Sequence, residues 1–349
     1  MAHRPFITVL LIPTGIGARI GGFGGDAMTL LPLFASASDW VVTHPNVANA
    51  ACFQTLPDNV LYVEGAALDR WSRGLWQLAP VRQNRVGIIW DSGLEPAMRV
   101  LHQNTAEAVS TVYGVAVTGF ADTAEPVVLQ LETALSGRST GSIKNLSVLL
   151  EAAHRLVEDG AQAIAVCCGM PELGAEAEAA YKQGQGPDPI GGLEAMISHA
   201  LVEHLERPVA HVPVFGQAEA LPVVEEVLDP RAASEFIVPT FLPCVLTGLA
   251  RAPQYQPQGP ANDLSWDDGF QGAVVCPADA LGSVPVLRAL QAGVPVLAVE
   301  NNPTCMDTTA EGLGVSERVT RCSSYLEALG HVHALRQGIS LPVHITTAV

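Results

Sequence analysis

Short apolar runs alternate with amphipathic stretches along most of this chain. The runs Thr8–Ile12, Trp40–Thr43, Val60–Val63, Val86–Trp90, Val115–Thr118, Ala163–Cys167, Val209–Val212, Ala273–Cys276 and Val294–Val299 predict strands. Each is a brief, nearly continuous apolar segment, as expected of a strand buried on both faces. Between them, apolar residues recur at helical spacing, most clearly over Leu146–Glu158, Leu193–Glu206, Val284–Gln291 and Ser323–Leu335, and Ala27–Ala35 also reads as a helix. This alternation predicts an α/β fold with mainly parallel sheets covered by helices. Two lobes with a cleft at the C-terminal strand ends are expected. Residues 1–90 plus 265–349 would form the first lobe and 91–264 the second, so the C-terminal strands return to pack beside the N-terminal ones. The Pro/Gln/Asn/Asp-rich segment Ala252–Gly269 reads as a surface loop or domain boundary, and residues 169–192 as a lid loop.

In open parallel sheets, ligands bind beyond the carboxyl ends of the strands, so the residues after each strand are the ones to inspect. The first strand is followed by Pro13-Thr14-Gly15-Ile16-Gly17-Ala18-Arg19-Ile20-Gly21-Gly22-Phe23-Gly24-Gly25-Asp26, which holds six glycines within residues 15–25. Glycine contributes no side-chain burial and loses the most backbone entropy on folding, so the concentration suggests backbone N–H groups approaching an anion. The spacing matches neither the dinucleotide fingerprint nor the P-loop. A purely structural turn is the alternative.

After the second strand come Thr43-His44-Pro45-Asn46. His44 is the best placed of the ten histidines for general acid–base work, unless it is a structural hydrogen-bonding residue. Glu64 and Asp91 end the third and fourth strands and suit either a substrate contact or a helix cap. Ser139-Thr140-Gly141-Ser142-Ile143-Lys144 reads as a second anion site at a helix start or as a linker. Cys167-Cys168 and Cys276 lie at strand ends, where a thiol facing a helix N-terminus is activated, although buried cysteine is commonly only a small apolar group. Glu300-Asn301-Asn302 follow a buried strand, and three polar residues there suggest substrate orientation.

Composition narrows these options. There are 18 basic and 35 acidic residues, a net charge of −17, which gives no electrostatic basis for binding nucleic acid or an anionic membrane. Lys144 and Lys182 are the only lysines, and both read as loop residues. No secretory leader or spanning segment is evident, since the apolar stretch Phe236–Ala250 is too short and contains Pro239 and Pro243. Seven cysteines without disulfide or zinc spacing suggest reduced thiols and a cytoplasmic location.

The stretches LLIPTGIGARIGGFGGDA, THPNVANAA, YVEGAALDR, VRQNRVGIIWDSG, YKQGQGPDPIGGLEAMISH and FLPCVLTGLARAPQ resemble a bacterial family known only as a domain of unknown function. That resemblance runs along most of the chain and implies no activity. LLEAAHRLVEDGAQAIAVCCGMPE and AVVCPADALGSVPVLRALQAGVPVLAVENN resemble the paired units of the aspartate/glutamate racemase superfamily. That second resemblance implies cofactor-free proton transfer between one cysteine from each half, here Cys167 or Cys168 and Cys276. Neither is followed by that superfamily's Asn-Thr or Thr-His.

The expectation is therefore an enzyme acting on a small anionic carboxylate by acid–base chemistry at carbon, an isomerase, racemase or lyase, without cofactor or metal, and a homo-oligomer. Its catalytic groups would be His44, Cys168, Cys276 and Glu300. Substrate contacts would come from Thr14, Gly15, Gly17, Arg19, Gly21, Gly22, Gly24, Gly25, Asp26, Asn46, Thr140, Lys144, Asn301 and Asn302. The alternatives are a transferase using a nucleotide or phosphorylated donor and a small-molecule binding protein. Gly282–Val299 also resembles the donor side of two-lobed glycosyltransferases.

Overall fold

A computed structural model describes residues 4–13, 15–21, 26–48, 55–134, 139–216, 227–229, 233, 237–257 and 259–339. Six strands form one parallel sheet: β1 (Ile7–Leu10), β2 (Trp40–Thr43), β3 (Val60–Tyr62), β12 (Gly272–Pro277), β13 (Val296–Val299) and β14 (Val319–Cys322), in the order β14-β13-β12-β1-β2-β3. Four more form a second parallel sheet: β5 (Val86–Trp90), β6 (Val117–Asp122), β9 (Ala163–Gly169) and β10 (Val209–Val214), in the order β10-β9-β5-β6. The predicted α/β architecture is therefore present, and the last strands do return beside the first.

Side chains alternate across each strand, and this period of two divides the core into two layers. Leu10, Ile88, Ala165 and Val275 belong to one apolar cluster, while Val9, Ile89, Val166 and Val274 belong to the other. Each cluster contains residues of both sheets, joined through the helices that cover them. These include α2 (Gly65–Ser72), which packs on α6 (Gly191–Leu205), and α7 (Leu242–Arg251), which touches both β3 and β9. Helix α4 (Leu146–Glu158) occupies its predicted span, and α8 (Val284–Ala292) and α9 (Tyr325–Arg336) lie within a residue or two of theirs.

Several segments depart from expectation. Ser139–Ile143 is not a linker but strand β8, paired antiparallel with β7 (Leu129–Thr133). Ala252–Gly269 is not a plain surface loop. Its strand β11 (Gln254–Pro257) pairs with β4 (Trp76–Ala79), and Tyr255, Leu264 and Trp266 are buried. This ribbon lies where the chain crosses between the sheets. Asn84, fully buried, ties the crossings together: its Nδ2 donates to Leu249 O and Ala252 O at 2.8 Å, and its Oδ1 accepts from Gln254 Nε2 at 2.8 Å. Such complete pairing removes the cost of burying an amide. Ala27–Ala35 divides into a 3₁₀ turn, Asp26–Thr29, and helix α1 (Leu31–Ala37), whose first turn holds Pro32, a residue suited to that position. Lys182 closes helix α5 (Ala175–Lys182) and pairs with Glu178 at 2.5 Å, so it is a helix residue and not the loop residue the sequence suggests.

Candidate functional site

The glycine-rich loop leaves the end of β1 and is held by side chains from neighbouring strand ends. His44 Nε2 accepts from Ile12 N at 3.3 Å. Asn46 donates from Nδ2 to Gly21 O and, at 3.2 Å, to Ile12 O. Asn302, fully buried, accepts from Ile20 N at 2.9 Å and donates back to Ile20 O at 3.1 Å and to the Tyr325 hydroxyl at 2.8 Å. Cys305 N donates to Ile16 O at 2.7 Å. Asp188 N donates to Gly15 O at 3.1 Å, which brings the 169–192 segment onto the loop.

These contacts give part of the glycine pattern a structural cause. Gly15 and Gly21 have φ of +67° and +80°, in the left-handed region. A Cβ on Gly21 would lie 2.8 Å from that of Ala27, and one on Gly15 would lie 3.0 Å from that of Asp188. Gly17 is also left-handed. Thr14, Gly22, Gly24 and Gly25 lie outside the described residues, and Asp26 begins the 3₁₀ turn. Arg19 is exposed on the loop, with no hydrogen bond or ion pair among the described residues.

The other predicted site residues divide into two groups. His44 and Asn302 are gathered at the loop, but as its supports. Burial pushes the His44 imidazole down to about 4, leaving it neutral with Nε2 occupied by the Ile12 amide, which does not suit a free general base. Cys168 and Cys276 are buried, and desolvation raises both thiols, Cys276 to about 12. Asp91, whose Oδ2 lies 3.6 Å from Cys168 Sγ, opposes a thiolate further. Glu300 and Asn301 are exposed, and Glu300 lies 3.5 Å from Arg321. Lys144 is exposed at the end of β8, where Thr140 pairs with Glu132 of β7 and its hydroxyl lies 3.8 Å from Met196 Sδ.

Glu300 belongs to a cleft of about 350 Å³ at the ends of β12, β13 and β14, lined by Asp279, Asn302, Glu311 and Arg321 among others. Its charges are already partnered. Arg321 pairs with Glu311 and Glu300, while Asp279 accepts from Thr304 N and Oγ1 at 2.8 Å.

A second polar cluster lies where the two sheets' helices meet, beside Gly15. Asp188 Oδ1 accepts from Ile190 N at 2.9 Å and Gly191 N at 3.0 Å at the start of α6. Burial and the nearby Glu194 charge push the Asp188 carboxyl up to about 7, against the lowering effect of those amides. Glu194 Oε2 lies 3.6 Å from His211 Nε2, and His211 Nδ1 lies 3.2 Å from Ser198 Oγ. Ser198 donates to Glu64 Oε1 at 3.2 Å, and the same oxygen lies 2.8 Å from His199 Nε2. Glu64 caps α2 through Ala66 N at 2.8 Å, and its own N–H donates to the Tyr255 hydroxyl at 3.2 Å. The His199 charge is felt by His44 and lowers its pKa slightly further. These contacts run from the start of α6, where Asp188 meets Gly15, along Glu194, His211, Ser198 and Glu64 to His199.

Glu64 and the Asp188 segment are legible as strand-end or lid residues. Glu194, Ser198, His199 and His211 are not. The available signal was His211, a polar residue inside the otherwise apolar strand β10. Among the described residues no group of three or more His, Cys, Asp or Glu side chains has the arrangement of a metal site.

The fold and this junction define an α/β protein with two main parallel sheets and a partly buried carboxylate–histidine cluster where their helices meet. The chain belongs to the family described as Protein of unknown function (DUF3326), whose model matches residues 7–344. It is similar to a protein of Synechococcus sp. named as an uncharacterised lipoprotein, with 41% identity over 340 residues that cover 97% of this chain and 93% of that one. No solved structure matches. Among the described residues no helix is long and apolar enough to cross a membrane.

Proposed function

We propose that this chain is an enzyme that moves a proton to or from carbon in a small carboxylate, as an isomerase, racemase or lyase, at the junction of the glycine loop and Asp188. The observation that carries this reading is Asp188 itself. Its backbone grips Gly15, its Oδ1 is held by Ile190 N and Gly191 N, and burial with the Glu194 charge pushes its carboxyl up to about 7. A carboxyl poised near the working pH serves both as acid and as base, and such perturbed groups cluster at functional sites. The proton carriers of this reading are therefore Asp188, Glu194 and His211 in place of His44 and the two thiols. The exposed Arg19 supplies positive charge for the substrate carboxylate, and loop N–H groups supply hydrogen bonds. No cofactor is called for. The buried thiols Cys167, Cys168, Cys276 and Cys322, in no disulfide, support a cytoplasmic location, which cell fractionation would test.

The experiment is to incubate the protein in deuterium oxide with a panel of small hydroxy-, amino- and dicarboxylates. Deuterium incorporation or product would then be followed by mass spectrometry and proton NMR. Exchange is expected with at least one, and loss of that exchange in Asp188→Asn. If wild-type protein exchanges none but is stabilised by a nucleotide, a transferase replaces this reading. Stabilisation by a carboxylate recovered unchanged and unlabelled would instead make the chain a binding protein.

A further inference from the structure

The junction contains more polar groups in contact than proton transfer at Asp188 needs, and each touches the next. From Glu194 Oε2 the contacts run to His211 Nε2 (3.6 Å), His211 Nδ1 to Ser198 Oγ (3.2 Å), Ser198 Oγ to Glu64 Oε1 (3.2 Å), and Glu64 Oε1 to His199 Nε2 (2.8 Å). One end adjoins Asp188 and the other reaches solvent, because the His199 side chain is 46% exposed while that of Glu64 is only 4% exposed. Three elements contribute: the β3–α2 corner, α6 and β10. A purely structural account, in which Ser198 returns its hydroxyl to Ala195 O at 3.2 Å as helical serines commonly do, leaves the His211 and Glu64 contacts without a purpose.

We propose that His199, Glu64, Ser198, His211 and Glu194 form a proton relay that carries a proton from solvent to Glu194, whose charge acts on Asp188. The relay rests on the acid–base reading above, and its members apart from Glu194 act at a distance from the substrate. Inward transfer balances at every step. Imidazolium His199 gives its Nε2 proton to Glu64 Oε1 and keeps the Nδ1 proton. Glu64 Oε1 hands a proton to Ser198 Oγ as the hydroxyl, turned from Glu64 toward His211, gives its own to Nδ1. His211 then releases its Nε2 proton to Glu194 Oε2, beside Asp188. Each intermediate group takes one proton and gives one, so the net change is one proton moved from His199 to Glu194. Water protonates His199 again. Glu64, Asp69, Glu203 and His44 are the charged and titratable groups that face His199; the three carboxylates favour its protonated form, and Glu203 is itself held by Arg70.

Two readouts test the relay. The first needs no substrate: NMR titration of the histidine ring signals in wild-type protein, Ser198→Ala and His199→Gln. In wild type the His211 signals are expected to shift again as His199 titrates, and to report a change of tautomer at Nδ1. Ser198→Ala should abolish that second step while leaving the His199 titration in place, because through-space electrostatics survive the loss of one hydroxyl. The second is deuterium exchange at saturating substrate. Ser198→Ala and the surface variant His199→Gln should lower kcat several-fold with KM unchanged, and imidazole or formate buffer should restore the rate by delivering protons directly. Asp188→Asn should not be rescued. If Ser198→Ala keeps both the His211 coupling and the wild-type rate while Asp188→Asn is inactive, the relay is wrong and the acid–base reading survives. Full exchange by Asp188→Asn removes the acid–base reading instead, and the titration still decides whether the five groups are coupled.

Discussion

At the end of β13, the Glu300 side chain is 48% exposed in an open cleft and faces Arg321. At the end of β3, Glu64 is 3% exposed and binds Ala66 N, Ser198 and His199. Both positions satisfy the rule that ligands gather at the carboxyl ends of parallel strands. They differ in solvent. Water screens the Glu300–Arg321 pair, and an exposed ion pair of this kind contributes at most about 1 kcal/mol. At the Glu64–Asp188 junction the side chains are less exposed, and burial with the Glu194 charge raises the Asp188 carboxyl. Strand-end position selects candidates, and desolvation decides which of them can do chemistry.

The sharpest break in this comparison is expected from Asp188→Asn, which retains an Oδ1 acceptor for Ile190 N and Gly191 N. Loss of its carboxyl should slow deuterium exchange by about 10² to 10⁴-fold, the usual contribution of general acid–base catalysis, with the circular dichroism spectrum unchanged.

Loop support comes next. Gly21→Ala forces a side chain onto a left-handed residue against Ala27 and should cost about 1–3 kcal/mol, seen as a lower chemical-denaturation midpoint. Asn302→Ala leaves Ile20 N–H and C=O without their partner and should cost a similar amount, about 1–3 kcal/mol.

A smaller effect is the shape of stability against pH. The Asp188 pKa is raised in the folded protein, so its contribution is complete below the unfolded value of 3.8 and is lost as pH climbs toward 7. The His44 pKa is lowered, so its contribution is complete above 6.5 and is lost as pH falls toward 4. Thermal melts between pH 4 and 8 should therefore show a shallower alkaline decline in Asp188→Asn and a shallower acid decline in His44→Gln. Identical slopes in wild type and variants would contradict both assignments. Least affected of all should be Glu300→Gln, whose melting temperature and exchange rate are expected to match wild type within error.

Much of the fold was legible because these strands are buried on both faces. Trp40–Thr43 and Val86–Trp90 coincide with β2 and β5, since continuous apolar runs bounded by turn residues leave little ambiguity. Strands that are partly exposed or polar escaped. The Ser/Thr/Gly run of β8 looks like a linker until β7 supplies its hydrogen bonds, and the Pro/Gln-rich β11 needs β4. Helix α3 (Pro96–Tyr113) escaped because its apolar positions are diluted by exposed Val100 and Val112.

For the site, the sequence identified the loop and the segments that meet it, including His44, Asn302 and the Asp188 region. It could not assign their roles. Asn302 looks like a substrate contact from its place after β13, and only the tertiary structure turns its amide onto Ile20. The same limit applies to Glu194, Ser198 and His211, which are brought into line by the packing of α6 on β10 and carry no local sequence motif.

The most direct measurement compares Asp188→Asn with Glu300→Gln in one deuterium-exchange assay over the same panel of small carboxylates. The account predicts that the first variant loses exchange and the second keeps it. Exchange that survives in Asp188→Asn but disappears in Glu300→Gln would move the chemistry to the open cleft and contradict it.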